Sequence, residues 1–191
     1  MMNLPNALTL SRIGFAFILV YLLLLNSLTG NILAAVLFTI ASLTDFYDGH
    51  LAKKRGLISD FGKIMDPIAD KVLILSIFFV LAYTGRVAWW MVWLITFREI
   101  VVTADRLWCM RKGEVLAAEK AGKIKTVFQI TVISFILIHL ILNQAAFAQG
   151  WFHRIANFYW GFVHVLMDIT VGITIGSGIS YFQSKTRKTT T

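Results

Sequence analysis

Asp45, Asp48, Asp66 and Asp70 fall in the run TDFYDGHLAKKRGLISDFGKIMDPIADK, between two strongly apolar segments. The chain has ten acidic residues, and five of them stand in this run, these four and Asp60. A carboxylate close to a bilayer is costly and marks a functional site by default. Spacings of three (45 to 48) and four (66 to 70) put each pair on one face of a helix. Two facing helix ends then aim four carboxylates at one point. Such an oxygen-donor set suits a hard divalent cation, Mg2+ or Mn2+, and hence phosphate chemistry. A pair of these ions can clamp a phosphoryl group and stabilise both the attacking and the leaving oxygen. Four ionised aspartates this close repel one another, which a metal relieves. Helix caps and solvated loop charges do not require this joint spacing, and Asp60 alone fits that plainer role.

Glycines flank the aspartates. Gly49 and Gly62 carry no side chain, so backbone and a nucleotide can approach closely there. Pro67, directly after Asp66, either starts a helix or kinks one.

The elements that must position these residues are membrane helices. Of the 191 residues 58% are hydrophobic, and the mean hydropathy is +0.73. Soluble domains are usually about 45–50% apolar. Apolar runs approaching the roughly 20 residues of a bilayer span recur along the chain. They predict an all-α integral membrane protein with six transmembrane helices, near 8–25, 32–54, 65–84, 87–110, 122–143 and 157–182. The links at Asn26 to Asn31 and Tyr83 to Arg86 are short and read as antiparallel hairpins. One catalytic domain is expected over 1–184, followed by a basic polar tail over 185–191. The first apolar run follows Asn6 and Arg12 without a small-residue cleavage site and reads as a retained helix. The single cysteine, Cys109, makes no internal disulfide and reads as a buried or interfacial thiol.

Charge sets the orientation. Of 18 Lys and Arg, only Arg86 and Arg154 fall in the turns after helices three and five. Arg12, Lys53 to Arg55, Lys63, Arg106 to Lys125 and the tail collect on the other side, so both termini and the aspartates are expected to face the cytoplasm. The net charge of +8 is then concentrated on one face, where it suits anionic head groups and phosphorylated substrates. No nucleic-acid module pattern is present, and no nucleic-acid partner is expected. Trp89, Trp90 and Trp93 fit an aromatic belt.

The spacing Asp45-x2-Asp48-Gly49-x2-Ala52-Lys53-x8-Gly62-x3-Asp66-x3-Asp70 closely resembles the signature of the CDP-alcohol phosphotransferase family. The resemblance implies a bundle of six membrane helices, metal bound by all four aspartates, and Asp70 as general base. It also implies a CDP contact at Gly49, Ala52, Lys53 and Gly62, and a homodimer. The family usually has Arg where this chain has Lys53. Arg offers a planar fork and Lys a point charge, so whether Lys53 or Arg55 meets the pyrophosphate stays open.

The opening MNLPNALTLSRI, the segments FREIVVTADRL and AGKIKT, and the C-terminal GITIGSGISYF resemble the bacterial branch of that family that uses a phosphorylated glycerol. This implies CDP-diacylglycerol as donor, sn-glycerol 3-phosphate as acceptor, nucleotide contacts from Asn6 and Thr9, and an acceptor-phosphate pocket of Arg98, Arg106, Lys123 and Lys125. Arg98 and Arg106 are about 80° apart on an unbroken helix, and Lys123 and Lys125 open the fifth helix, whose N-terminal amides favour an anion. Glu99 is expected to orient an arginine. Asp105 either pairs with Arg106 or faces solvent. Asp168, inside the sixth apolar run, must face protein or water, in a packing or dimer-contact role. Two other readings stand beside this one. The first is a sister enzyme making cardiolipin, phosphatidylserine or an inositol-phosphate lipid. The second is a small cation transporter, against which the interfacial aspartates and the missing repeat argue.

Overall fold

The computed structural model describes the backbone over residues 4–55, 60–112, 120–145 and 151–189, and side chains over 11–44, 68–110, 112, 122–145 and 157–186. Among the described residues it is all helical: α1 (Leu4–Leu24), α2 (Leu28–Arg55), α3 (Asp60–Tyr83), α4 (Trp89–Arg111), α5 (Lys120–Gln144) and α6 (Trp151–Thr189). The six helices are the six expected, but most are longer. α3 begins at Asp60 rather than near 65, and α6 runs to Thr189 rather than 182, through the start of the basic tail. Hydropathy marks only the apolar stretch of a helix. Once nucleated, the backbone ladder propagates into polar turns at little cost. Pro67 sits inside α3 rather than at its start.

The turns explain the hairpins. After α1, Asn26 adopts φ 44°, a left-handed conformation that Asn tolerates better than most residues. Ser27 Oγ then accepts from Gly30 N at 3.1 Å and caps α2. A Cβ on Gly30 would stand 2.7 Å from the Leu22 carbonyl oxygen, so only glycine lets α2 start this close to the end of α1. After α3, Gly85 at φ 72° donates to Ala82 O (3.0 Å), and Arg86 donates to Leu81 O (2.8 Å). This is a Schellman closure, and it satisfies the last carbonyls of the helix.

α3 is central and packs against α1, α4 and α5. α2 packs against α1 and α5, and α6 against α4 and α5. Leu19, Phe38, Phe78, Ile95, Ile133 and Val163 form the fully buried centre, one from each helix. The outward faces are as apolar as the inward ones: Phe17 is 72% exposed, Phe97 69% and Phe158 83%. Soluble surfaces rarely carry apolar residues so continuously. Two described stretches, Gly122–Gln144 and Asn157–Thr186, are long and apolar enough to cross a membrane, and Ser11–Leu24 and Leu28–Thr44 are shorter apolar stretches. α3 and α4 are interrupted by Asp70, Lys71, Arg98 and Glu99. At one end of the bundle Asn31, buried in α2, donates to Gln144 of α5 at 2.8 Å, and Gln144 donates to the Asn26 carbonyl at 2.8 Å. That chain of amides ties the first turn to the end of α5.

Candidate active site

Asp45 and Asp48 lie in the second half of α2, and Asp66 and Asp70 in the first half of α3. Both pairs therefore have the helical register that puts each on one face. Gly49, Ala52 and Lys53 continue α2, Gly62 lies in the first turn of α3, and Asn6 and Thr9 open α1. Apart from Asp70, the side chains of these residues lie outside those described. Among the described residues no three His, Cys, Asp or Glu converge as a metal site.

Asp70 meets α1. Its Oδ1 accepts from Arg12 Nη1. The Arg12 side chain is 9% exposed, whereas that of Asp70 is 42% exposed. The arginine is thus packed in place and orients a carboxylate that stays reachable. A charge-assisted bond of this kind is stronger and more directional than a neutral one.

One residue on, α3 turns towards α4 and α5, and here the structure gathers a cluster of charge. Its centre is Glu99 of α4, only 2% exposed. Glu99 Oε2 accepts from Lys71 Nζ of α3. Its Oε1 accepts from Lys125 Nζ of α5, from Arg98 Nη1 at 3.2 Å and from Gln129 Nε2 at 3.4 Å. A carboxylate this deep is tolerable only with such partners. Arg98 spans on to α6, where its Nη2 donates to Ser177 Oγ at 2.9 Å. The neighbouring Gly178 makes room: a Cβ there would stand 3.1 Å from Arg98 Cγ. Arg106 is close enough to Lys71 to repel it, and its buried Nε finds no hydrogen-bond partner among the described residues.

Of the expected pocket residues, Arg98 and Lys125 are therefore brought together on Glu99, while Arg106, two turns further along α4, makes no ion pair among the described residues. Lys123 is exposed, outside this cluster, because two residues along a helix is more than half a turn. Three cations (Lys71, Arg98 and Lys125) bond to one carboxylate. An anion with several oxygens would match the surplus, and a phosphate does so best. Glu99 does orient an arginine, as its position beside Arg98 suggested, but it also gathers two lysines. Lys71 and Arg12 escaped sequence reasoning. The one available signal was a lysine immediately after Asp70 within an otherwise apolar helix.

Asp105 takes neither of its two expected courses. Its Oδ1 accepts from Lys185 Nζ at 2.6 Å and its Oδ2 from Tyr181 Oη at 2.9 Å, so it fastens the far end of α6 to α4. Cys109 is buried beside it, 2% exposed. Asp168 is exposed on α6, with no ion pair to it among the described residues.

The family model for CDP-alcohol phosphatidyltransferase matches residues 2–166. The chain is similar to the CDP-diacylglycerol–glycerol-3-phosphate 3-phosphatidyltransferase of Bacillus subtilis (strain 168), with 35% identity over 95% of this chain and 94% of that protein. It is similar to the protein of the same name from Rickettsia typhi, with 35% identity over 96% and 97%. A probable phosphatidylglycerophosphate synthase of Mycobacterium tuberculosis (strain ATCC 25618 / H37Rv) is 38% identical over 94% of this chain and 79% of its own length.

Proposed function

The chain belongs to the CDP-alcohol phosphatidyltransferase family, and on that premise we propose that it transfers the phosphatidyl group of CDP-diacylglycerol to sn-glycerol 3-phosphate. The products are phosphatidylglycerol phosphate and CMP. The observation that carries this reading is the agreement of relatives named for a glycerol-3-phosphate acceptor with a cluster of three cations around the buried Glu99 that suits a phosphorylated acceptor.

Asp70 is the general base. Its exposed carboxylate, oriented by Arg12, takes the proton from the acceptor's free hydroxyl. The hydroxyl oxygen then bonds to the β-phosphorus of the donor, the bond from that phosphorus to the bridging oxygen breaks, and CMP leaves with the electron pair. Arg98, Arg106 and Lys125 bind the acceptor's phosphate, with Lys123 at the rim. Asn6, Thr9, Gly49, Ala52, Lys53 and Gly62 form the cytidine diphosphate side.

The family is divalent-metal dependent. The four aspartates fit such an ion, since they offer oxygen donors only and Asp70 is reachable from outside. Asp45, Asp48, Asp66 and Asp70 would hold Mg2+ or Mn2+, in a pair of ions, which would neutralise the phosphates when bound.

Six helices crossing a bacterial inner membrane, with both termini and the site on the cytoplasmic face, agree with the outward apolar residues and with the side on which the Lys and Arg collect. A homodimer is supported by Asp168: a carboxylate exposed on an apolar helix needs a partner outside its own chain or water.

The test is direct. Purified protein with CDP-diacylglycerol, Mg2+ and labelled glycerol 3-phosphate is expected to release CMP and label the lipid. Release with serine or inositol phosphate, but not with glycerol 3-phosphate, would overturn the choice of acceptor.

A further inference from the structure

Two groups in the charged cluster are assigned no contact with either substrate in the chemistry above: Lys71 and Glu99. Successive residues on a helix are about 100° apart, and α3 uses that rotation. Asp70 faces α1 through Arg12, and Lys71 faces α4 and α5 through Glu99. Lys71 and Lys125 both donate to the one Glu99 carboxylate, one to each oxygen. Two ammonium groups side by side repel, and Arg98 and Arg106 add to the repulsion on Lys71. A single carboxylate offsets part of this and leaves a surplus of positive charge.

Here Glu99 is closed, with its side chain 3% exposed, but that of Lys71 is 27% exposed. The ammonium has an anchored side and an open one. Its three donors can engage Glu99 and still reach an incoming oxygen.

We propose that Lys71 is a further ligand of the acceptor's phosphate, and that Glu99 is the positioning residue that holds Lys71 and Lys125 side by side to receive it. The proposal rests on the reading of the acceptor as a phosphomonoester. It extends the pocket from α4 and α5 onto the helix that carries the base.

The experiment measures kcat and both KM values of the full chain for wild type, Lys71→Met, Lys71→Arg and Glu99→Gln. Loss of a charge-assisted hydrogen bond is expected to raise the KM for glycerol 3-phosphate at least about tenfold in Lys71→Met, with the KM for CDP-diacylglycerol within about twofold. Lys71→Arg keeps the charge and is expected to recover much of the loss. Glu99→Gln is expected to raise the same KM selectively, since both lysines lose their anchor. An unchanged KM for glycerol 3-phosphate in Lys71→Met overturns the proposal, as does an equal rise in both KM values. Should Lys71→Met not fold, Lys71→Arg decides: wild-type folding with wild-type KM values supports a charge role, and equal rises in both KM values overturn it. Wild-type protein that turns over no glycerol 3-phosphate at all overturns the acceptor assignment instead, so the two failures are distinguishable.

Discussion

Arg98 lies along Gly178: its Cγ is 3.1 Å from the point where a Cβ on that glycine would stand. The arginine reaches Ser177 only because α6 has no side chain there. Gly178→Leu is therefore expected to push Arg98 out of the cluster, break its bond to Ser177, and lower kcat/KM for glycerol 3-phosphate by about tenfold or more, the equivalent of a hydrogen bond to a charged group. Kinetics with both substrates check this, with circular dichroism to confirm that α6 persists. Wild-type kinetics in a folded Gly178→Leu protein would remove Arg98 from the pocket.

Replacing the proposed base tests the chemistry itself. Asp70→Asn keeps the shape and loses the proton acceptor, and about 10²- to 10⁴-fold is the usual contribution of a general base. Single-turnover CMP release measures it. Arg12→Met is expected to lower turnover more mildly, because Asp70 then keeps its function and loses its orientation. Robust turnover in Asp70→Asn would assign the base elsewhere.

Removing divalent metal with a chelator is expected to abolish CMP release, and added Mg2+ to restore it. Asn in place of Asp45, Asp48 or Asp66 is expected to raise the Mg2+ concentration needed for half-maximal rate, since each change removes an anionic ligand. A Mg2+ dependence identical to wild type in all three variants would exclude these aspartates as ligands.

The bond from Tyr181 to Asp105 predicts a stability effect without a catalytic one. Tyr181 is 4% exposed, and its hydroxyl donates to Asp105 at 2.9 Å. Tyr181→Phe leaves the part-buried Asp105 carboxylate one donor short, at a cost of about 1 kcal/mol. That corresponds to about 2–4 °C in Tm for a chain of this size. Thermal unfolding in detergent reads the shift, while both KM values stay unchanged.

The turn after α1 predicts a larger cost. Gly30→Val puts a branched side chain where even a Cβ meets the Leu22 carbonyl oxygen at 2.7 Å. Backbone cannot yield as a flexible side chain does. The expected loss is about 1–3 kcal/mol, the usual range for overpacking, read as a lower Tm.

Much of this arrangement was legible in the chain itself. Apolar runs reveal helices because each run must face either core or lipid. The aspartate spacing reveals a shared face because helical register is periodic. Helix ends were less legible: the first turn of α3 and the last turns of α6 are polar and continue the ladder without any hydropathy signal. Tertiary partners were least legible. Nothing in the local sequence told Asp105 to seek Tyr181 and Lys185, about 80 residues away, rather than its neighbour Arg106. Lys71 was hidden for the same reason, since its role depends on Glu99 of another helix.

The adjacency of Asp70 and Lys71 has a consequence for which alcohols can react. Neighbouring Cα atoms are about 3.8 Å apart on a fixed backbone, and α3 is the central helix of the bundle. Motions of α1 or α4 change what surrounds these two residues but not their Cα separation. On the roles proposed for them, base and phosphate ligand, the pair would work as a ruler, accepting a molecule whose hydroxyl and phosphate are a set number of bonds apart. Lengthening the acceptor by one carbon between those groups would leave its charge intact and still take the hydroxyl out of reach.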